Sequence, residues 1–388
     1  MTNNNHTFVI CAYKEQPYLD DCIKSLKKQT IKSEIIVSTS TPNELTEKIA
    51  KNNNVKLVIN NKTTGHINDF CFAYDQAKTK YVTLCHQDDI YYEDFAEKMI
   101  DKMERSKNPI IGFSNYNELR DGKAIKHKTI LFIKRLINFP LLFFPKSKKV
   151  RLFTLSVGNA ICSPSVTYNK ELVERPIKQS NLKANIDWDT YIDLAKKDGS
   201  FVYISKPILE HRIHESSTTT KVINNNIMKQ EDYLIFKRFW PDRIAKFLTK
   251  IYTISEKSNN LKSEKKGDKN MARILLVALY LILTIAGLIL YKYGATKDFN
   301  ISIINGIFNI KLSLISILGL LCYLSSFLIY ILILRKFNLS YIMPITSAIS
   351  YIGISILSAL VLKETITSNG IIGAFIILVG IIIMNIHK

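Results

Sequence analysis

The sequence lacks the features that mark several common protein classes. Its six cysteines include no Cys-x-x-Cys pair and mostly lie among apolar residues, which favours buried, reduced thiols over zinc ligands or disulfides. Residues 1–6 are polar and contain no basic stretch followed by an apolar one, so we expect no cleavable signal peptide and a cytoplasmic first domain. No nucleic-acid-binding motif is present, and we expect no nucleic acid partner.

Charge and hydropathy divide the chain into two parts. The formal net charge is +20, and basic residues are densest between Lys123 and Arg273, beside the apolar part, which favours an anionic membrane surface as a partner. Residues 255–270 are polar and lysine-rich, so we predict a linker between a first domain (1–254) and a membrane domain (271–388).

Four apolar runs in the second domain are each about long enough to span a bilayer as a helix. They are Ala272–Tyr291, Leu312–Leu334, Tyr341–Leu362 and Gly370–Ile386. The basic residues that flank them predict a multi-pass protein of the cell membrane with its N-terminal domain in the cytoplasm.

Strand-like and helix-like segments alternate near the N-terminus. This alternation predicts an α/β fold with a mainly parallel sheet, whose ligands bind at the carboxyl ends of its strands. The predicted strands are Phe8–Cys11, Ile35–Val37, Val55–Ile59 and Tyr81–Cys85, and the predicted helices are Tyr18–Gln29, Glu44–Asn52 and His66–Lys78. We divide the domain into a nucleotide-binding part (1–125) and a less regular acceptor part (126–254).

An acidic cluster follows the fourth predicted strand. The segment Cys85-His86-Gln87-Asp88-Asp89 places two carboxylates at the carboxyl end of a strand, where they can hold Mg²⁺ or Mn²⁺. A cation at this place would bridge a diphosphate and neutralise its charge as it leaves. An isolated Asp-Asp pair is also common in loops and helix caps, so its weight comes from its position after a strand.

Several segments, in order, resemble the family 2 glycosyltransferases, which have the GT-A fold. Phe8-Val9-Ile10-Cys11-Ala12-Tyr13-Lys14-Glu15 resembles the first strand of that family and the motif that ends it. Residues 22–30 resemble its first helix, and residues 77–84 resemble the strand that leads into its metal motif. The resemblance covers about the first 220 residues. It implies a nucleotide sugar as donor, with a UDP-sugar favoured, and a nucleotide site formed by Ala12, Tyr13, Glu15, His86, Gln87 and Asp88.

The sequence departs from the family pattern at two of these places. His86 stands where the first acid of the metal motif is expected, so a cation would have fewer carboxylates or would use a histidine. Thr39 and Ser40 replace the acidic pair after the second strand, so a base would be recognised by hydroxyl and backbone groups. Asp69 either contacts the nucleotide or is an acid on a helix surface.

The segment Asn185-Ile186-Asp187-Trp188-Asp189 resembles the element that carries the catalytic base of the family. Asp187 matches that acid, and a carboxylate suits the task of accepting a proton from the attacking acceptor oxygen. Asp189 is the second candidate, or else an acid that stabilises the first turn of a helix. Trp188 is a candidate contact to the acceptor.

A basic segment, His211-Arg212-Ile213-His214, resembles one near the end of the family's catalytic domain. Strand alternation sends His211 to one face and Arg212 with His214 to the other. His211 and Arg212 are candidate contacts to the acceptor or to phosphate. His214 either supplies the missing metal ligand or is structural.

Residues 129–155 and 233–252 mix large aromatic side chains with lysine and arginine. Such a mixture is typical of a segment at a membrane interface, and the alternative is a helix packed on the sheet. The apolar domain resembles the small multidrug resistance and drug/metabolite transporter proteins around Lys336-Phe337-Asn338-Leu339-Ser340-Tyr341 and at residues 290–295. That resemblance implies a homodimer. No acid lies between Ala272 and Tyr291, which argues against proton coupling.

Together these patterns predict a membrane-bound, inverting, metal-dependent glycosyltransferase of cell-envelope glycan synthesis. The predicted acceptor is polyprenyl (undecaprenyl) phosphate, or else a lipid-linked glycan or teichoic-type polymer. A hypothesis of another class is a transporter whose soluble domain only senses a nucleotide.

Overall fold

The computed structural model describes residues 2–62, 65–125, 129–178, 180–214, 227–257, 264–296, 299–304 and 307–365, with scattered positions from 367 to 377. The chain forms two compact units, Met1–Glu264 and Lys265–Lys388. The linker predicted at 255–270 is helical at both ends, since residues 255–257 end one helix and residues 264–270 begin the next. Its central residues lie outside the described part of the chain.

The first unit contains one mixed sheet, which over the described residues has nine strands in the order β3-β2-β1-β4-β8-β6-β9-β5, with β7 beside β6. The strands are β1 (Thr2–Ala12), β2 (Lys32–Thr39), β3 (Lys56–Ile59), β4 (Tyr81–His86), β5 (Ile90–Tyr91), β6 (Pro109–Arg120), β7 (Lys123–Ile125), β8 (Thr167–Asn169) and β9 (Ser200–Arg212). The first four strands are parallel to each other, and β8 runs antiparallel to both β4 and β6. The predicted α/β fold is confirmed.

Helices connect and cover these strands. They are α1 (Leu19–Lys27), α2 (Glu44–Asn52), α3 (His66–Gln76), α4 (Phe95–Glu104), α5 (Thr129–Asn138), α6 (Lys148–Ser156), α7 (Ile186–Lys196), α8 (Ile227–Lys237) and α9 (Asp242–Lys257). A 3₁₀ turn, Phe139–Leu142, continues α5. The first three helices agree with the predicted ones within two residues. The Asn43 side chain accepts a hydrogen bond from the Thr46 backbone N–H and caps α2.

Apolar residues cover both faces of the sheet. In β1, Phe8 and Ile10 belong to a core with α1 and α4, whereas Val9 between them belongs to a core with α3 and α7. Successive side chains of a strand point to opposite faces, so a strand covered on both faces is a continuous apolar run. The short run Phe8-Val9-Ile10 therefore lies at the centre of a three-layer unit, with helices on either side.

The second unit contains α10 (Glu264–Ala295), α11 (Leu314–Leu334) and α12 (Leu339–Val361). Within the described residues, three segments are long and apolar enough to cross a membrane: Leu275–Ala295, Leu314–Leu334 and Leu339–Val361. The fourth predicted span, Gly370–Ile386, lies mostly outside the described residues. A Cβ atom on Gly319 would lie 2.8 Å from the Gly287 carbonyl oxygen, so glycines allow the close approach of α10 and α11.

The connection between α10 and α11 contains the antiparallel strands β10 (Phe299–Ile304) and β11 (Ile307–Leu312), so the described part of the second unit is not purely helical. Glu364 forms an ion pair with Lys292. Lys292 lies in the last turn of the candidate span Leu275–Ala295, and Glu364 lies just after the candidate span Leu339–Val361.

Gly199, which precedes β9 in the first unit, allows the packing against Asn108 and Ile110 to be tested. Gly199 has a φ of +140°, and a Cβ atom there would collide with the Asn108 carbonyl oxygen and lie 2.8 Å from Ile110 Cγ1. Gly122 has a φ of +73° but open space around it. We expect Gly199→Ala to lower the free energy of unfolding by about 3 kcal/mol or more, and Gly122→Ala by about 1 kcal/mol. The apparent Tm of the full chain in detergent measures both. Equal losses would show that the packing around residue 199 is looser than described.

Candidate active site

The candidate site lies at the carboxyl edge of the parallel strands β1, β2 and β4. In the register of the sheet, Cys11 pairs with His86 and Ala12 pairs with Thr39. Three strand ends therefore stand side by side, with β1 in the middle. In an open sheet of this kind, ligands bind in the crevice outside such strand ends.

Asp69, in the first turn of α3, organises one side of this edge. Its Oδ2 atom accepts hydrogen bonds from the Ser40 hydroxyl (2.9 Å) and from the Gly65 backbone N–H (3.3 Å). Its Oδ1 atom accepts one from the Asn60 side-chain amide (3.0 Å). The structure thus brings Ser40 and Asp69 together, and Asp69 links the connection after β2 to the connection between β3 and α3.

Thr39 does not present its side chain in the predicted way. The residue is only 3% exposed, and its hydroxyl oxygen accepts a hydrogen bond from the Thr41 backbone N–H at 3.0 Å. The Thr41 hydroxyl in turn accepts one from the Lys14 backbone N–H at 2.6 Å. Thr39 therefore shapes the turn after β2, because its hydroxyl is buried and engaged there.

The Gln87 side chain joins the loop after β1 to the loop after β4. Its Oε1 atom accepts a hydrogen bond from the Tyr13 backbone N–H (3.1 Å), and its Nε2 atom donates one to the Tyr13 carbonyl oxygen (2.9 Å). The Tyr13 ring is left half exposed, Glu15 is exposed, and Ala12 is buried beneath them. A planar ligand could lie against the Tyr13 ring.

His86, Asp88 and Asp89 form the candidate metal centre. One potential ligand atom from each lies within 4.8 Å of the others. Asp89 is fully buried, and its Oδ2 atom has no hydrogen-bond partner among the described residues. A buried carboxylate oxygen without a donor is costly unless a cation or a proton satisfies it. Two carboxylates and an imidazole are a donor set that fits a divalent cation.

The end of β9 holds both acids in place. Asp89 Oδ1 accepts hydrogen bonds from His211 Nδ1 and from the Arg212 backbone N–H, each at 2.9 Å. Asp88 Oδ2 lies 2.8 Å from His214 Nε2. The expected alternation is confirmed, since His211 contacts Asp89 while Arg212 and His214 both contact Asp88. His214 therefore supports Asp88 and lies outside the compact metal-binding group.

Arg212 is held against the loop after β4 and against α1. Its Nε atom donates to the Asp88 carbonyl oxygen at 2.8 Å, and its guanidinium lies 4.2 Å from the centre of the Tyr18 ring. A terminal nitrogen also contacts Asp21 at 3.4 Å. These contacts use part of the guanidinium, and the contact of Arg212 with the acceptor or with phosphate stays a prediction.

The ionisation of this cluster follows from its charges. Burial alone would lower the pKa of His211, but the carboxylates of Asp89 and Asp88 outweigh it and raise that pKa to about 9. Burial would raise the pKa of Asp88, but the hydrogen bond from His214 and the charges of His86 and His211 lower it. His211 is therefore a cation at neutral pH, and Asp88 is an anion.

Asp187 lies in the first turn of α7, where its carboxylate feels the charge of His86 in the candidate metal centre. Its Oδ1 atom accepts a hydrogen bond from the Trp188 backbone N–H (2.7 Å), and its Oδ2 atom accepts one from the Asn159 amide (3.1 Å). Burial raises the pKa of Asp187, and these hydrogen bonds and the charges of His86 and Lys134 oppose the rise. The carboxylate is thus a stronger base than an ordinary aspartate and lies within the electrostatic reach of His86.

The neighbours of Asp187 in sequence have other tasks. Trp188 is completely buried, stacks edge-on against Phe236, and donates its indole N–H to the Leu155 carbonyl oxygen at 3.0 Å. The predicted contact of Trp188 with an acceptor is wrong, because no part of the side chain reaches the surface.

Asp189 is buried and forms ion pairs with two partly exposed basic residues. It accepts hydrogen bonds from the Ser180 hydroxyl (2.6 Å) and from Arg238 (2.5 Å), and it lies 3.1 Å from Lys178. The residue is 2% exposed. Asp189 thus fastens α7 to its surroundings, which leaves Asp187 as the candidate base.

Lys134 of α5 is a site residue that the sequence did not single out. Its ammonium group donates to the Tyr116 hydroxyl at 3.0 Å, and the Tyr116 ring packs edge-on against His211. The charge of Lys134 also reaches Asp187. The sequence did not indicate this role of Lys134, because all basic residues of its segment were interpreted together as part of a surface at the membrane.

Glu231 of α8 fixes the loop that leads into Asp187. Its carboxylate accepts hydrogen bonds from the backbone N–H groups of Lys183, Ala184 and Asn185, at 2.7, 2.8 and 2.9 Å. The adjacent Asp232 is fully buried and accepts a hydrogen bond from the Asn185 amide at 2.8 Å. Burial raises the pKa of Asp232 to about 7. No sequence motif indicated this support.

Comparison with known proteins shows what part of the first unit is similar to. Residues 7–171 match the family model described as glycosyl transferase family 2, in agreement with the resemblance seen in the sequence. An uncharacterized glycosyltransferase of Haemophilus influenzae is 29% identical over 117 residues, which are 29% of this chain. The match spans 36% of that relative's length. Asp187 and His214 lie beyond the family match, so their placement rests on the structure.

Solved structures of transferases are similar in outline. Residues 1–349 of S. aureus TarS superpose with a TM-score of 0.43 at 14% identity, covering 80% of this chain and 97% of that chain. The mannosyltransferase PcManGT of Pyrobaculum calidifontis, solved with GDP-Man and Mn²⁺, gives a TM-score of 0.45 at 12% identity, covering 72% of this chain and 80% of that chain. Similarity at this level does not bear on the substrate of this chain.

The metal centre is tested by binding rather than by activity. We expect Asp88→Asn to weaken Mn²⁺ binding to the full chain by at least about tenfold, because it removes an anionic ligand and its pairing with His214. The free Mn²⁺ signal in electron paramagnetic resonance measures this, with and without uridine diphosphate. The control is Asp101→Asn, an exposed acid on α4 paired with Arg105. Equal affinities of the two variants would remove the metal assignment.

Proposed function

We propose that the chain is a membrane-bound, inverting glycosyltransferase that moves a sugar from a nucleotide sugar to an acceptor held in the membrane. The observation that carries the proposal is that Asp187, a carboxylate with a raised pKa, lies within the electrostatic reach of His86, which belongs to the candidate metal-binding group after β4. The family 2 match over residues 7–171 supports the same conclusion. The first donor to test is a UDP-sugar.

The site residues divide the work of such a transfer. Asp187 accepts the proton of the acceptor oxygen as that oxygen forms its bond to the anomeric carbon. The bond from that carbon to the diphosphate oxygen breaks on the opposite face, which inverts the configuration. A divalent cation, Mg²⁺ or Mn²⁺, held by His86, Asp88 and Asp89 would neutralise the departing diphosphate. Asn159 and the Trp188 backbone N–H keep Asp187 oriented for its task.

The acceptor we favour is polyprenyl phosphate. The three candidate spans of the second unit support an acceptor in the bilayer, and the cationic Lys134 and His211 suit an anionic acceptor. The second acceptor is a hydroxyl of a lipid-linked glycan or teichoic-type polymer, for which a base is indispensable. In this proposal the catalytic domain is cytoplasmic, and the second unit joins two chains into a homodimer.

Replacement of the base tests the reaction. We expect Asp187→Asn to lower kcat for transfer to a hydroxyl acceptor by about 10²–10⁴-fold, because the substitution removes the group that takes the proton. A phosphate acceptor with a second pKa near 6 is largely ionised at alkaline pH, so the loss with polyprenyl phosphate should shrink there. Radiolabelled sugar transfer in membranes measures both.

The matched control for the base is Asp193→Asn, since Asp193 lies on the same helix but is paired with Lys178 and Lys196. It should keep its activity. Full activity of Asp187→Asn with either acceptor across the pH range would refute the assignment of the base.

The pH dependence tests Lys134. Asp187 acts in its deprotonated form, so activity should fall as the pH falls through its raised pKa. The positive charge of Lys134 lowers that pKa, so Lys134→Met should raise it and move the acidic limb of kcat/KM to higher pH. Lys149→Met, an exposed position on α6, should leave the profile in place. A limb that stays put or moves to lower pH in Lys134→Met would contradict the proposed geometry.

A further inference from the structure

An exposed aromatic stripe runs along α5 and the 3₁₀ turn that follows it. Phe132, Leu136, Phe139 and Phe143 are 62%, 54%, 51% and 64% exposed. Their spacing of four, three and four residues is that of one side of a helix. Phe144, 59% exposed, extends the aromatic stripe, and the ring centres of Phe139 and Phe143 are 5.3 Å apart.

The opposite side of the same element is anchored in the protein. Leu131 and Leu141 are each 2% exposed, and the Asn138 amide donates to the Ala160 carbonyl oxygen at 3.1 Å. Lys134, on this inner side, donates to the Tyr116 hydroxyl. The element therefore cannot rotate its large apolar side chains inward, because its inner side is already occupied. Contiguous exposed apolar patches of this kind mark an interaction surface.

The surrounding charge identifies the class of the partner. No acidic residue occurs between Gly122 and Lys170, whereas the exposed Lys146 and Lys149 follow the aromatic stripe directly. Within the structure, Asp198 reaches this stretch and pairs with Lys148, whereas the stretch itself carries basic residues and no acid. Aromatic rings combined with an excess of lysine suit the interface of an anionic bilayer, where rings enter the headgroup region and lysines meet phosphate groups. The described residues of the same chain include three helices that are long and apolar enough to cross a membrane.

A second apolar stripe with the same character lies on α9. Ile244, Phe247 and Ile251 are 43%, 62% and 42% exposed at helical spacing. The inner side of α9 is anchored close to the end of α6, where Tyr252 donates to the Asn159 carbonyl oxygen at 3.4 Å. Lys246 and Lys250 lie beside this stripe in the sequence.

We propose that the aromatic stripe inserts into the interface of the anionic bilayer that the second unit spans. The inference rests on the proposed membrane location of the chain and not on sugar transfer. Since α5 carries the aromatic stripe on one side and Lys134 on the other, docking holds one wall of the active site at the membrane surface. An acceptor with a lipid anchor then reaches Asp187 without leaving the bilayer.

Fluorescence quenching tests the docking directly. Phe143→Trp is introduced into the full chain, which is reconstituted into vesicles of brominated phosphatidylcholine and phosphatidylglycerol. We expect about half or more of the emission added by the new tryptophan to be lost relative to non-brominated vesicles, as for a ring at the headgroup boundary. The parent chain supplies the background of its two tryptophans, Trp188 and Trp240.

The matched control is Leu45→Trp, because Leu45 is an exposed apolar residue on α2 of the same unit, apart from the aromatic stripe. Its emission should be the same in both kinds of vesicle. Equal quenching at both positions, or none at residue 143, would overturn the proposal. A stripe that instead covers a second copy of the chain would also give no quenching at residue 143.

Replacing two lysines by glutamates tests whether anionic headgroups contribute to the docking in addition to the apolar contact. Lys146→Glu combined with Lys149→Glu should reduce the quenching of Phe143→Trp in vesicles that contain phosphatidylglycerol, and an undiminished signal would refute the role of anionic headgroups. Quenching needs no substrate. A chain that is quenched but transfers no sugar would therefore disprove the proposed reaction while leaving the docking intact.

Discussion

The candidate site depends on the buried carboxylate of Asp89, which links the loop after β4 to the end of β9. It ends the loop after β4 and accepts hydrogen bonds from His211 and from the Arg212 backbone at the end of β9. A carboxylate with no exposed surface is tolerated only when opposite charge and hydrogen bonds compensate it, and removing one partner of such a pair costs about 3–5 kcal/mol. The metal-binding edge and the end of β9 are therefore mutually dependent.

A second fixed point, far away in sequence, orients the proposed base. Three backbone N–H groups before α7 converge on Glu231, and Asn159 holds the Asp187 carboxylate itself. Charge-assisted hydrogen bonds of this kind are stronger than neutral ones and restrict the loop to one geometry. Two separate carboxylates, Asp89 and Glu231, thus immobilise the segments that carry the candidate metal ligands and the proposed base.

The sequence was sufficient for the elements and for the edge where the site forms. The short apolar runs of β1, β2 and β4 have no competing helical period, and parallel strands necessarily bring Ala12, Thr39 and His86 to one edge. The sequence was not sufficient to predict which partners individual side chains would contact. The position of Arg212 against Asp88 depends on contacts with residues more than a hundred positions away.

The same limit explains the residues that were missed. Lys134 and Phe132 belong to one amphipathic helix, and a pattern of basic and aromatic residues does not tell which charges face inward. Glu231 supports the base through backbone groups, and backbone groups leave no trace in side-chain identity. Such supports become visible only when the chain is folded.

The two acids at the start of α7 have different surroundings. Asp187 contacts Asn159 and lies within the electrostatic reach of His86, while Asp189, two residues later, is closed within an ion-pair cluster. A residue two positions along a helix points about 200° away, so the two carboxylates cannot share the same surroundings. Because Asp189 is itself paired, it fixes the first turn of α7 and with it the position of Asp187. A fixed position is what an in-line transfer would require of the proposed base.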